Sequence, residues 1–381
     1  MQPFSLLIKP AGADCNLRCH YCFYLGRKEL YPNVSIHRMS VATLTRLVRS
    51  YLALPFSVHT FAFQGGEPLL MGEAFFRTLV ELQRRYARPG ACITNSVQTN
   101  GTLLTASLAE FFAQEKFLLG VSVDGAAEVH DVHRLASNGT GSHEAVMRGI
   151  ALLNAADAPY NLLTLVSQSN VHHPVETYRY LRDTLGCRFM QFIECVEFDS
   201  QGERLPYAIT PEAWAEFVIA LFDEWIAHDL QSVSVRFFDS IISKLVLGEA
   251  HSCAMGCDCR AYLVVEHNGD VYPCDFFVRS EMLLGNLHEN DWEELWDSPL
   301  HTVFGERKSR YSADCVSCPF LMFCQGDCPK NRTGHDPAAD SRQRSYLCSA
   351  WKQIYAHLLP PLRKVAREVH ATAERSRRTH A

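Results

Sequence analysis

Three cysteines open the chemistry. Cys15-Asn-Leu-Arg-Cys19-His-Tyr-Cys22 is a C-x3-C-x2-C triplet, and three thiolates on one loop can converge on a single inorganic centre. A structural zinc takes four ligands in a tetrahedron, and His20 would be the fourth. A four-iron cluster held by three cysteines leaves one iron open to a small molecule. A second group comprises Cys253, Cys257, Cys259 and Cys274, and a third is Cys315-x2-Cys318-x5-Cys324-x3-Cys328 with Cys348 beyond it. Eight thiolates could fill two four-cysteine iron–sulfur sites or two zinc sites. Nine are present, so one is surplus. Cys92, Cys187 and Cys195 fall on or beside strands and read as small buried hydrophobes. The 17 histidines, His172-His173 among them, lack ligand spacing and read as surface residues.

Six apolar runs must position the first triplet: Ser5–Lys9, His59–Phe63, Ile93–Gln98, Leu118–Val123, Asn161–Val166 and Phe189–Cys195. Several are apolar throughout, as strands buried on both faces are. Amphipathic stretches lie between them at Val41–Tyr51, Glu73–Tyr86, Ser107–Gln114, His143–Asn154 and Val175–Leu185. Such alternation predicts a parallel sheet with helices outside, open or curled into a partial barrel. Turn residues follow several strands, at Gln64-Gly65-Gly66-Glu67-Pro68, Asn100-Gly101 and Asp124-Gly125. Loops at the C-terminal ends of parallel strands are where α/β folds build their sites. The triplet sits on such a loop, which favours a cluster over a zinc knuckle.

Beyond Asp199 the pattern changes. Pro211 opens a long helix to His228, Ser240–Leu247 follows, and past Gly248 the chain is rich in cysteine and turns. A last helix near Ser349–Val369 precedes a basic tail, Arg375–His380, expected to be disordered.

The 381 residues carry 36 Lys+Arg against 42 Asp+Glu, a formal charge of −6. That balance disfavours nucleic acid and anionic membrane surfaces as partners. Apolar runs are shorter than the ~20 residues of a membrane span, and no secretory h-region is apparent at the N-terminus. The expected location is cytoplasmic, where clustered thiols hold metal and an odd count of 15 cysteines argues against a disulfide framework.

The triplet with Phe23-Tyr24, together with Gly65-Gly66-Glu67 after the second strand, resembles the radical S-adenosylmethionine (SAM) enzymes. That likeness implies a partial (β/α)6 barrel binding a four-iron cluster and SAM. It assigns the SAM site to Tyr21, Gly66, Glu67, Ser122, Arg134 and Val196, with Asp124 beside Ser122. Physically, glycines let a backbone approach a ligand closely. The C-x2-C-x5-C-x3-C run with a trailing cysteine resembles the SPASM extension, which carries two auxiliary four-iron clusters. The family spacing gives Cys253, Cys259, Cys274 and Cys328 to the first auxiliary site and Cys315, Cys318, Cys324 and Cys348 to the second. Cys257 is left over. Three [4Fe-4S] clusters are thus implied, with Cys15, Cys19 and Cys22 on the first.

The domain boundaries expected are 1–200 for the barrel, 201–250 for a helical connector, 251–349 for the SPASM domain and 350–381 for the last helix and tail. Further segments narrow the likeness to the anaerobic sulfatase-maturating enzymes: Ser5-Leu-Leu-Ile-Lys-Pro10, Phe61-Ala-Phe-Gln-Gly-Gly-Glu-Pro68, Gln98-Thr-Asn-Gly101 and Val271-Tyr-Pro-Cys-Asp-Phe276. Such enzymes oxidise a cysteine or serine of a sulfatase polypeptide, in a Cys- or Ser-x-Pro-x-Arg segment, to Cα-formylglycine. The reaction removes a hydrogen atom, an electron and a proton. The family's general base falls at Asp275, whose Cα lies ~3.8 Å from that of Cys274. A flavodoxin or ferredoxin-type donor and a monomeric state are expected. One rival reading is a non-catalytic electron carrier or zinc scaffold, for which a six-unit β/α domain with a Gly-Gly-Glu loop is more apparatus than needed. The nearer rival is another SPASM enzyme that cross-links or epimerises a ribosomal peptide. Such enzymes often carry an N-terminal peptide-binding extension, and only fourteen residues precede Cys15 here.

Overall fold

The computed structural model describes residues 1–249, 252–333 and 343–379, with side chains as far as 371. Ten strands lie among the described residues: β1 Ser5–Lys9, β2 Val58–Phe63, β3 Cys92–Thr99, β4 Leu118–Ser122, β5 Tyr160–Val166, β6 Phe189–Glu194, β7 Ser234–Val235, β8 Tyr262–Glu266, β9 Asp270–Tyr272 and β10 Gly285–Asn286. The first six are the six apolar runs, within a residue or two at each end. The chain divides into two compact units, Met1–Leu162 with Cys259–Glu306, and Leu163–Asp258 with Arg307–Ala381. β5 crosses the division.

In the first unit β1, β2, β3 and β4 run parallel in that order. On the other side of β1, β8 pairs with it in parallel and is followed by β9 and β10, antiparallel. The cysteine-rich stretch thus supplies three strands beyond the sequence expectation. Helices Val41–Leu52, Glu73–Tyr86 and Ala106–Gln114 connect the parallel strands. Ser40 and Thr105 start two of them by accepting the N–H of Thr43 and Leu108, filling backbone donors that a helix start leaves open. Leu6 and Ile8 of β1 and Phe61 and Phe63 of β2 are buried. Phe63, Phe76 and Phe112 pack edge to face at 5.7 and 5.2 Å, the arrangement the ring quadrupole favours.

In the second unit β6 and β7 are parallel. Thr210 caps and Pro211 opens the helix Pro211–His228, since proline's missing N–H has no partner to lose there. That helix packs along the C-terminal helix Cys348–Thr379, with Trp214 and Trp351 edge to face at 6.1 Å. The expected helix at Val175–Leu185 forms as Pro174–Arg179 and then widens into a π turn over Tyr180–Thr184.

Three expectations need correction. Cys92 is exposed at the start of β3, and only Cys187 and Cys195 are buried. Several histidines are core residues, His59, His130 and His301 being fully buried, while His172 and His173 are exposed. The C-terminal helix continues to Thr379, so Arg375 to Thr379 lie on helical backbone. His380 lies outside the described residues.

Candidate active site

The first unit gathers its chemistry at the C-terminal ends of β1, β2 and β8. The register places Lys9 opposite Glu266 and Ile8 opposite Phe63, so loops leaving these strands share one edge of the sheet. Cys15, Cys19 and Cys22 lie on the loop after β1. The Cys15 sulfur accepts the Leu17 N–H at 3.3 Å and faces the Asn100 amide at 3.7 Å. Burial pushes the Cys15 thiol up to about 12, and the nearby Cys19 and Cys22 add to the rise. Cys19 is lifted to about 11 by burial, against the opposing pull of Arg134. Such thiols resist ionising alone. A cationic iron centre would compensate all three thiolates at once, so the loop fits the cluster its spacing implies.

The Gly65-Gly66-Glu67 loop docks onto the backbone of that cysteine loop. Gly66 N–H donates to Gly12 at 2.8 Å and Glu67 N–H to Asp14 at 2.8 Å. A Cβ on Gly66 would overlap the main chain of Asp14, and Gly65 has φ +129°. Both N–H groups of Gly66 and Glu67 are thereby spent on the cysteine loop. Glu67 itself is fully buried. Its carboxylate accepts from Leu69 N–H at 2.9 Å, Thr99 hydroxyl at 2.8 Å and Asn100 N–H at 2.8 Å. Burial raises its pKa to about 7 even though these three donors favour the ion. Glu67 thus ties the loops after β2 and β3 together.

Past β4, the Tyr21 hydroxyl and Arg134 Nε both bond Asp124 Oδ2, the latter at 3.0 Å. Arg134 is largely buried, and its ion pair with Asp124 offsets the cost of burial. Ser122, the last residue of β4, is buried.

Asp275 heads a short turn, Asp275–Phe277, directly after Cys274. Its carboxylate lies 3.7 Å from Lys9 Nζ and accepts from Gln64 Nε2 at 3.1 Å and the Tyr262 hydroxyl at 3.3 Å. The same hydroxyl is 3.3 Å from Cys274 Sγ. Lys9 is fully buried and stands 4.4 Å from the Tyr24 ring centroid. Burial lowers its pKa, and Asp275 is the strongest of the groups that oppose this. Tyr24 in turn bonds Glu266. Phe23 packs on Phe276 at 4.7 Å and Arg27 reaches the Phe276 carbonyl at 3.3 Å. The triplet's own loop therefore braces the Asp275 turn. Lys9, Gln64, Asn100, Tyr262 and Glu266 were not expected as site residues. The local signals were Gln64 and Asn100 in turn segments after strands, and Lys9, a charge ending an apolar strand.

In the second unit, Cys315, Cys318, Cys324 and Cys348 line a single pocket with Phe320, Leu321 and Tyr355. Burial raises the Cys324 thiol to about 12, with Cys315 and Cys348 adding to the rise. Four thiols in an apolar pocket fit a four-iron cluster. Among the described residues no three Cys, His, Asp or Glu side chains are gathered closely enough to hold a single metal ion. Val196, just past β6, is buried and its carbonyl accepts Lys330 Nζ at 2.6 Å. Cys253 opens a turn through Met255, Cys328 N–H donates to Asp327 at 2.6 Å, and Cys257 is exposed. Cys259, in the first unit, donates its N–H to Gly305 at 3.4 Å.

Comparison with known proteins agrees with this geometry. The radical SAM superfamily profile matches residues 10–185, and that of an iron–sulfur cluster-binding domain, SPASM, matches residues 257–319. A cysteine-type anaerobic sulfatase-maturating enzyme of Clostridium perfringens is 35% identical, over 97% of this chain and all (100%) of that one. A serine-type enzyme of Bacteroides thetaiotaomicron is 34% identical, over 94% of this chain and 90% of that one. The solved enzyme anSMEcpe, with bound AdoMet and a peptide, superposes with a TM-score of 0.89 at 33% identity, covering 97% of this chain and 100% of that one. No helix among the described residues is long and apolar enough to cross a membrane. By its likeness to these relatives over nearly its whole length, the chain belongs to the anaerobic sulfatase-maturating enzymes, oxidoreductases of the radical SAM superfamily.

Proposed function

We propose that this chain acts in the cytoplasm on a sulfatase polypeptide, converting the Cys or Ser of a Cys/Ser-x-Pro-x-Arg segment to Cα-formylglycine with Asp275 as the general base. The observation that carries the reading is the Asp275 carboxylate, braced by Lys9, Gln64 and Tyr262 beside the cysteine-triplet loop. A peptide bound in the solved relative anSMEcpe supports a polypeptide substrate.

Cys15, Cys19 and Cys22 would hold the first cluster. Cys315, Cys318, Cys324 and Cys348 would hold one auxiliary cluster, and Cys253, Cys259, Cys274 and Cys328 the other. Gly66 carbonyl, Ser122, Val196 and the Tyr21–Asp124–Arg134 group would hold SAM, with Glu67 fixing the loop on which Gly66 sits. When bound, these groups supply the removal of one hydrogen atom from the substrate Cβ and of one further electron. What remains is a proton on the substrate sulfur or oxygen. Asp275 takes that proton on a carboxylate oxygen, completing the two-electron oxidation to a thioaldehyde or an aldehyde. Lys9 stands 3.7 Å from that carboxylate, and Gln64 and Tyr262 fix its rotation. A thioaldehyde is hydrolysed with loss of hydrogen sulfide, and serine yields the aldehyde directly.

The test is anaerobic incubation with a low-potential reductant or a flavodoxin or ferredoxin-type donor, SAM, and a peptide carrying Cys- or Ser-x-Pro-x-Arg. Mass spectrometry should find formylglycine at that residue. A thioether cross-link or an epimerised residue instead would overturn the reading.

A further inference from the structure

Cys324 and Cys328 are separated by three residues whose backbones are all left-handed: Gln325 at φ +49°, Gly326 at +68° and Asp327 at +65°. Only glycine enters that region freely, so the conformation at Gln325 and Asp327 must be imposed from outside. Two buried cations do so. Arg332 donates from Nη2 to the Gln325 carbonyl at 2.7 Å and to that of Asp327 at 3.2 Å, and from Nε to that of Gly326 at 2.6 Å. Lys308 Nζ bonds the Asp327 carbonyl as well, and reaches the carbonyl of Ala254, the residue after Cys253, at 2.9 Å. Arg332 also bonds the Lys308 carbonyl at 3.0 Å, which couples the two. Both side chains are withdrawn from water, with exposures of 0% for Lys308 and 5% for Arg332.

We propose that Lys308 and Arg332 are positioning residues that clamp the Cys324–Cys328 loop and, through their charge, make the auxiliary iron–sulfur sites better electron acceptors. The proposal rests on the ligand assignment above, in which Cys324 belongs to one auxiliary site and Cys253 and Cys328 to the other. Geometry gives the first half. The ammonium of Lys308 joins the backbone beside Cys253 to the backbone beside Cys328, and the guanidinium fork holds three successive carbonyls in a conformation they would not keep alone. Charge gives the second half. A thiolate-bound cluster gains negative charge on reduction, and a buried cation stabilises that reduced form in a low-dielectric interior. The reaction needs this bias, because an electron must leave the substrate for an acceptor.

The experiment uses the full chain with Cys15, Cys19 and Cys22 replaced by Ala, so that auxiliary clusters alone give the signal. In this background Lys308→Met and Arg332→Gln are compared by electron paramagnetic resonance during redox titration. At a fixed potential each should lower the reduced-to-oxidised ratio of an auxiliary cluster about tenfold, a 59 mV shift for one electron. An unchanged ratio and line shape in both would overturn the clamp. If either chain fails to fold by circular dichroism, Lys308→Arg and Arg332→Lys decide. These keep the charge, so the ratio should stay within about threefold of the parent, while Arg332→Lys alters the line shape because an ammonium cannot reproduce the fork. A parental line shape in Arg332→Lys counts against the clamp. Cys324→Ala and Cys328→Ala, each expected to lose iron, separate this result from a failed ligand assignment.

Discussion

At the scale of single residues, two carboxylates divide the labour. Asp275→Asn keeps the size of the side chain but cannot take a proton at neutral pH. Loss of a general base costs ~10²–10⁴-fold in rate. The variant should still form 5′-deoxyadenosine and move a substrate Cβ deuterium into it, while formylglycine falls by that factor. Wild-type yields of formylglycine would remove Asp275 from the mechanism. Lys9→Met should weaken formylglycine formation more than SAM cleavage, because Lys9 faces Asp275. Glu67 has a structural part. Its carboxyl is raised from 4.5 to about 7, so the folded chain binds the extra proton between those values. Stability from this group is therefore lost as pH rises from about 5 to about 7, by roughly 3 kcal/mol at 1.36 kcal/mol per unit. Glu67→Gln does not titrate, so the difference between parent and variant in urea melts should drift by that amount over this range. At neutral pH the variant should also lose about 1–3 kcal/mol, because an amide NH₂ cannot accept the donors that Glu67 satisfies.

Elements were legible where they were long and periodic. Six strands and the helices between them followed from apolar runs of five residues or more, because burial on both faces leaves a strong pattern. The strands β8, β9 and β10 were missed for the opposite reason, being short and lying among cysteines and turns. Tyr262–Glu266 followed by Asn268-Gly269 does carry a hairpin signal, with Gly269 at φ +93°. The site divided in the same way. Cysteine spacing is local and readable. The braces on Asp275 span 211 residues to Gln64, and Asn100 reaches Cys15 across 85, so only the folded sheet brings them together. The glycine loop was read as making room for a ligand, whereas Gly66 also makes room for the backbone at Asp14. Gly66→Ala should therefore loosen the cysteine loop itself, at a cost of about 1–3 kcal/mol for overpacking. Calorimetric SAM binding should weaken, and iron in the first cluster should fall.

For the whole molecule the measurable sum is iron. Anaerobically reconstituted protein should hold about twelve irons, as three four-iron clusters. Replacing Cys15, Cys19 and Cys22 together should remove about four of them and abolish SAM cleavage, leaving the auxiliary signals. Cys257→Ala should leave both iron and turnover near parental values, whereas Cys259→Ala should cost a cluster. Zinc in place of iron in freshly isolated protein would defeat this assignment.

The parallel pairing of β8 with β1 has a consequence for anyone who cuts the gene. A fragment ending at residue 249 keeps every strand of the β/α alternation, yet β1 loses its neighbour along Ser5–Lys9. Its N–H and C=O groups would then form a bare sheet margin bordered by Leu6 and Ile8, a template for a second copy to add a strand. Such a truncation is expected to precipitate or form oligomers, seen by light scattering. A fragment extended through residue 306, which retains β8, should scatter less. The barrel half is therefore a poor candidate for expression by itself, and chimaeras that exchange cluster modules should carry strands β8 to β10 along with the barrel.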